Sequence, residues 1–191
     1  MTYKSFQIII RSLLVLFIIS STNLTASEVD LRINDEAIHA NYAVTNEKMM
    51  FGLGYFYKNA NSSINILNTD LHAKGQTAIG NLPMTVGIGF QGNFFKEEDF
   101  KGSTIGLGGS IRVNIPEAVG LSIESAAHYA PEVLSFSDAN EFRRFRIQAN
   151  YHIIQNADIS LGYHYLNVGS EDGNSNHTLE SGLFLGMKLK F

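Results

Sequence analysis

The chain has 191 residues, 45% hydrophobic and only 17% charged, with a formal net charge of −4 and neither cysteine nor tryptophan. A soluble domain averages about 25% charged residues, so a fully water-facing surface is short of charge here. Without cysteine there is no disulfide scaffold, thiolate metal site, cysteine nucleophile or cysteine-borne lipid anchor. No run of about 20 apolar residues follows residue 26, which excludes a helical multispan protein.

Residues 1–26 read as a secretory signal. Lys4 and Arg11 make a basic start, Leu13 to Ile19 an apolar run too short to span a bilayer, and Ser20 to Ser27 a small polar end. A cut after Ala26 removes two bases and no acids, leaving 12 bases against 18 acids, a net of −6. An acidic product without a basic stripe is not a nucleic-acid binder. Residues 27–191 form the second expected unit.

From there the chain alternates apolar and polar residues with period two, which on a strand sends them to opposite faces. Val29-Leu31-Ile33 and Ile38-Ala40-Tyr42 form a short first pair around Asn34-Asp35. Phe51, Leu53, Tyr55 and Tyr57 oppose Gly52, Gly54 and Phe56. Asn65 to Ala73 alternates weakly, with Leu67 and Leu71 on one side. Val86, Ile88 and Phe90 oppose Gly87, Gly89 and Gln91. Ile105, Leu107, Ile111 and Val113 oppose Thr104, Gly106, Gly108, Ser110 and Arg112. Leu121, Ile123, Ala127 and Tyr129 oppose Ser122, Glu124 and His128. Phe145, Ile147, Ala149 and Tyr151 oppose Arg144, Arg146, Gln148, Asn150 and His152. Ile159, Leu161, Tyr163 and Tyr165 oppose Ser160, Gly162 and His164. In the last segment Leu179, Leu183, Leu185, Met187, Leu189 and Phe191 oppose Glu180, Gly182, Gly186, Lys188 and Lys190. Even parity permits ten strands, the preferred count, or eight. Connections near 45–48, 114–118 and 155–158 are short. Those near 59–63, 93–102, 131–140 and 168–177 are longer, matching short periplasmic turns and longer external loops. Residues 74–83 break this rule, as a long connection on the short side.

The polar face decides which way the sheet closes. It carries Gly, Ser, Asn, Gln, His and a few charges of both signs, rather than the Lys and Glu of a watered surface. Small residues suit the interior of a narrow barrel, and a greasy face unbroken by charge suits lipid. The expected fold is therefore all-β: a small transmembrane antiparallel up-and-down β-barrel. A soluble ligand-carrying barrel, with the apolar face inward, is the alternative.

The terminal Met187-Lys188-Leu189-Lys190-Phe191 looks like the C-terminal signature of Gram-negative outer-membrane barrels, an alternating strand ending in Phe. Val29 to Glu36, Gly52-Leu53-Gly54-Tyr55 and Ala130 to Asp138 resemble the YfaZ family of predicted outer-membrane proteins. The resemblance implies location and fold, and no active site. The likeness of the terminal strand to the broader class gives Phe191 the role of an assembly signal, with the barrel-assembly machinery and periplasmic chaperones as expected partners during biogenesis. Outer-membrane lipid and lipopolysaccharide are the expected surroundings of a monomer.

Candidate sites follow from the polar face. Arg112, Glu124, Arg144, Arg146, Glu180 and Lys188, with Lys190, are expected to pair inside the lumen, either plugging it or passing small solutes. His39, His72, His128, His152, His164 and His177 show no short ligand spacing, so neither metal nor cofactor is expected. His128, His152 and His164 fall on adjacent strands of the lumen face, where neighbours could meet as a pH-sensitive cluster. A lipid hydrolase would need a nucleophile beside a base; Ser125, Ser135 or Ser137 with His128 and Glu132 or Asp138 are the available parts. No catalysis is expected. Pro131, Val133, Leu134 and Phe136 mark the most distinctive loop, either a partner surface or a cap over the barrel mouth. The expected role is structural or surface-interactive, with a narrow channel as alternative.

Overall fold

The computed structural model describes residues 26–59, 63–97, 100–170 and 176–191; the expected leader and the tips of three connections lie outside them. Within these residues the chain forms strands β1 (Ala26–Ile33), β2 (Ala37–Thr45), β3 (Met49–Asn59), β4 (Ser63–Ile79), β5 (Leu82–Glu97), β6 (Phe100–Asn114), β7 (Leu121–Ala130), β8 (Ser135–Ser137), β9 (Ala139–Ile154), β10 (Ala157–Ser170) and β11 (Asn176–Lys190). Each long strand pairs antiparallel with the next, β7 with β9, and β11 closes on β1 with Glu28 opposite Lys190 and Ile33 opposite Leu185. The result is a closed barrel of ten long strands among the described residues, so the eight-strand alternative is overturned. Closure leaves no lateral edge, which lipid demands because it offers no hydrogen bonds. At the seam, Ser27 N–H donates to the Phe191 carbonyl at 2.8 Å and Phe191 N–H donates back at 2.9 Å.

The polarity of the wall is inverted relative to a soluble protein. Ile88, Leu161, Leu183 and Leu185 point outward and are 64%, 56%, 68% and 61% exposed, while Asp30, Arg32, Asn68, Asn93, Gln148 and Glu180 are buried inside. Charge returns at the rim, where exposed Arg143 lies over the Tyr129 ring and pairs with Glu141 at 2.8 Å.

Four readings need correction. Residues 74–83 are strand rather than loop: β4 and β5 pair down to Ile79–Leu82. Gly80, at φ +59°, makes the two-residue turn, with the positive first angle of a II′ hairpin. Residues 93–102 are also mostly strand, pairing Phe94 with Ser103 and Lys96 with Lys101. The connection after β6, expected to be short, runs over residues 115–120. Leu179 points inward, not to lipid: a register shift between Leu166 and Asn167 on β10 leaves Leu179 unopposed, and it is buried. A bulge inserts one residue and so flips the parity behind it.

The 131–138 segment neither caps the mouth nor stands free. Pro131 opens a single 3₁₀ turn, Glu132–Leu134. β8 then adds to the upper end of β6, with Thr104 opposite Ser135 and Gly102 opposite Ser137. Asp138 accepts from the Lys101 backbone N–H at 2.9 Å. Phe136 and Val133 remain exposed.

Candidate functional site: the barrel interior

Because inward residues alternate with outward ones, ten strands pour their polar face into a narrow lumen. At the end that holds Phe191, Glu124 on β7 and Asp158 on β10 each gather several cations. Glu124 takes Arg146 at 2.6 Å, Lys188 at 3.4 Å and Arg112 at 3.7 Å. Arg112 also reaches Asp158 at 3.3 Å, where Lys190 and His152 each lie at 2.6 Å. Lys188 adds Glu28 at 3.6 Å. Nearby, Arg32 sits 3.4 Å from Asp30, its neighbour on the same face of β1. Two acids thus cross-link five strands.

Glu180 belongs to a different group at the opposite end. It receives Lys58 at 2.8 Å and Asn34 Nδ2 at 2.7 Å, with His164 Nε2 at 3.5 Å. Between the two groups lies a polar layer. The Asp70 carboxylate accepts from Asn68 and Gln91, and Gln148 donates to Asn150.

The structure therefore brings Arg112, Arg146 and Lys188 onto Glu124. It sends Glu180 to Lys58, and sets Arg144 in register opposite His128 on the neighbouring strand. The three lumen histidines have separate partners: His128 meets His72, His152 meets Asp158, and His164 meets Glu180. They do not form the expected trio. Ser125 shares the outward face with Ile123 and Ala127 while His128 points inward, so this pair cannot act as nucleophile and base. Ser135 instead donates to the Pro131 carbonyl. His177 lies on β11 opposite Val168, and its side chain is outside what the structure describes.

Sequence reading missed Asp30, Arg32, Lys58, Asp70 and Asp158 as members of these groups. Their inward parity was visible, but which strands face each other across a lumen is not a periodicity signal. It also missed an apolar layer. Phe56, Ile64, Ile66, Phe95, Phe142, Leu166, Val168 and Leu179 fill the interior at the end away from Phe191. The Phe95 and Phe142 rings lie 5.2 Å apart. The interior is not polar throughout, as the alternation alone implied.

A closed antiparallel wall, greasy outside and charge-paired inside, defines an integral β-barrel of the outer membrane. A family model described as YfaZ precursor matches residues 6–191, and the chain belongs to that family. Solved structures similar to it include the outer-membrane protease OmpT of Escherichia coli, at 9% identity over 88% of this chain and 94% of that one, with a TM-score of 0.47. A de novo designed transmembrane β-barrel is 12% identical over 89% of this chain and 98% of the design, with a TM-score of 0.38. Neisserial surface protein A is 12% identical over 87% and 94%, with a TM-score of 0.36. No curated protein matches the chain.

Proposed function

We propose that this protein is a sealed outer-membrane barrel that works through its surface, with neither a conducting lumen nor a catalytic centre. The observation that carries the reading is the two-part filling of the interior. An apolar layer around Phe56, Phe95 and Phe142 sits in series with the Glu124 and Asp158 ion pairs. Barrels this narrow are filled by side chains, and open aqueous channels belong to 16–18 strands. Exposed Val133 and Phe136 beside the barrel rim provide an apolar contact for a surface partner or the lipid portion of lipopolysaccharide. The protein acts as a monomer, and its assembly depends on Phe191.

Planar-bilayer recording of the refolded protein tests the sealed lumen. Silence at membrane potentials that drive porin currents is expected. Steady unitary conductance from a folded, heat-modifiable preparation would overturn the reading in favour of a narrow channel.

A further inference from the structure

We propose that the barrel interior holds a transition-metal site, built from His72, His128 and Asp70, that takes a borderline divalent cation such as zinc or copper(II). The two imidazoles come from strands β4 and β7, and their Nε2 atoms lie 2.8 Å apart. The ligand atoms of all three residues fall within 4.8 Å of one another, and all three residues are buried.

The wall is shaped for this meeting. His72 is in register with Gly89, Gly89 with Gly108, and Gly108 with His128, one row across four strands. A Cβ on Gly89 would come within 2.7 Å of His72 Cδ2, and one on Gly108 within 2.5 Å of His128 Cδ2. The two glycines leave the hollow in which the rings turn toward each other.

A hydrogen bond between the rings satisfies the facing nitrogens only by fixing one tautomer on each. One Nε2–H donates and the other Nε2 accepts. His72 Nδ1 is then left buried without a partner, as is Gln91 Oε1. A cation answers the geometry differently. Zinc–imidazole bonds of about 2.0–2.1 Å in a tetrahedron put two nitrogens about 3.3 Å apart, so a small separation of the rings admits the ion. Both rings then present Nε2 lone pairs, the ring that had donated through Nε2 carrying its proton on Nδ1 instead, with no net change in protonation.

Asp70 supplies the charged ligand. Its two oxygens are already oriented by Asn68 Nδ2 at 2.9 Å and Gln91 Nε2 at 2.6 Å, the outer support that metal-binding carboxylates require. A cavity of about 90 Å³ borders the three residues and extends to Glu28 and Met50, giving room for a water ligand. Arg144 and Arg146 also line it. Their charge opposes a hard cation held by electrostatics alone, so magnesium and calcium are disfavoured against metals that imidazole prefers.

The test is a zinc titration of the intact folded barrel in detergent, stripped with chelator and read against a competing indicator. One equivalent is expected to bind in the wild type. His72→Ala and His128→Ala should each lose affinity beyond the roughly 10–100-fold that removal of an outer-shell partner costs, and Gln91→Leu should fall in that range. His152→Ala should bind as wild type. Heat-dependent gel mobility checks the fold of every variant. Copper(II) electron paramagnetic resonance on the wild type avoids dependence on any variant, and coupling to two imidazole nitrogens is expected. Absence of zinc binding, binding undiminished in both histidine variants, magnesium bound equally well, or a copper spectrum without two-nitrogen coupling would overturn the proposal.

Discussion

The two halves of the interior solve the same problem in different ways. Away from Phe191, the lumen is filled mainly as a soluble core is, by Phe56, Ile66, Phe95, Phe142 and Leu166, with the Glu180–Lys58 pair beside them. Toward Phe191 it is filled by Glu124, Asp158 and the cations that surround them. Apolar filling asks only for volume and shape, and any one side chain can lose a methyl at modest cost. Ionic filling asks for every partner at once, because a buried charge left alone costs far more than a paired one returns. The polar half should therefore be the brittle half.

Equilibrium urea unfolding in lipid vesicles gives the measure. Glu124→Ala takes the acid from Arg146 and leaves Arg112 with Asp158 and Lys188 with Glu28; it should cost the most, roughly 3–5 kcal/mol. Leu185→Arg tests the outer wall, which both halves share; a cation there should cost roughly 2–4 kcal/mol if its place is near the bilayer midplane. Ile66→Val in the apolar layer should cost only about 0.5–1.5 kcal/mol. Arg143→Ala, which removes the exposed pair with Glu141, should cost less than about 1 kcal/mol, and raised salt should shrink that cost further. If Glu124→Ala proves as mild as Ile66→Val, pairing does not hold the polar half and the contrast fails.

The outer face was the legible part of this molecule. Lipid contact requires unbroken apolar parity, so Phe51, Leu107, Ile147 and Leu161 announce their strands and their direction. The ends of strands were less legible. Lys74 to Ile79 lacks alternation, yet backbone pairing with β5 carries the hairpin to its Gly80 turn. Leu179 misled because a single bulge reverses parity, and the bulge depends on a partner strand the pattern does not reveal. The interior was legible as a list but not as an arrangement. Glu124 with Arg112, Arg146 and Lys188 follows from charge and parity. The meeting of His72 with His128, 56 residues apart, follows from two glycines on the strands between them.

The bond between Ser27 and Phe191 has a consequence for how the molecule is made. Every other pairing in the wall joins strands that are neighbours or near neighbours in sequence, so the sheet can grow by local steps. The last step differs in kind, since it must bring the two extremes of the wall together at the full loop-closure cost. Until it happens, β1 and β11 each present a row of unanswered amides and carbonyls, the surface that invites another chain to add itself. Closure thus separates a soluble risk from a finished protein: a population halted one strand short would be a set of mutual templates, with the next copy supplying the edge that its own chain has not yet delivered.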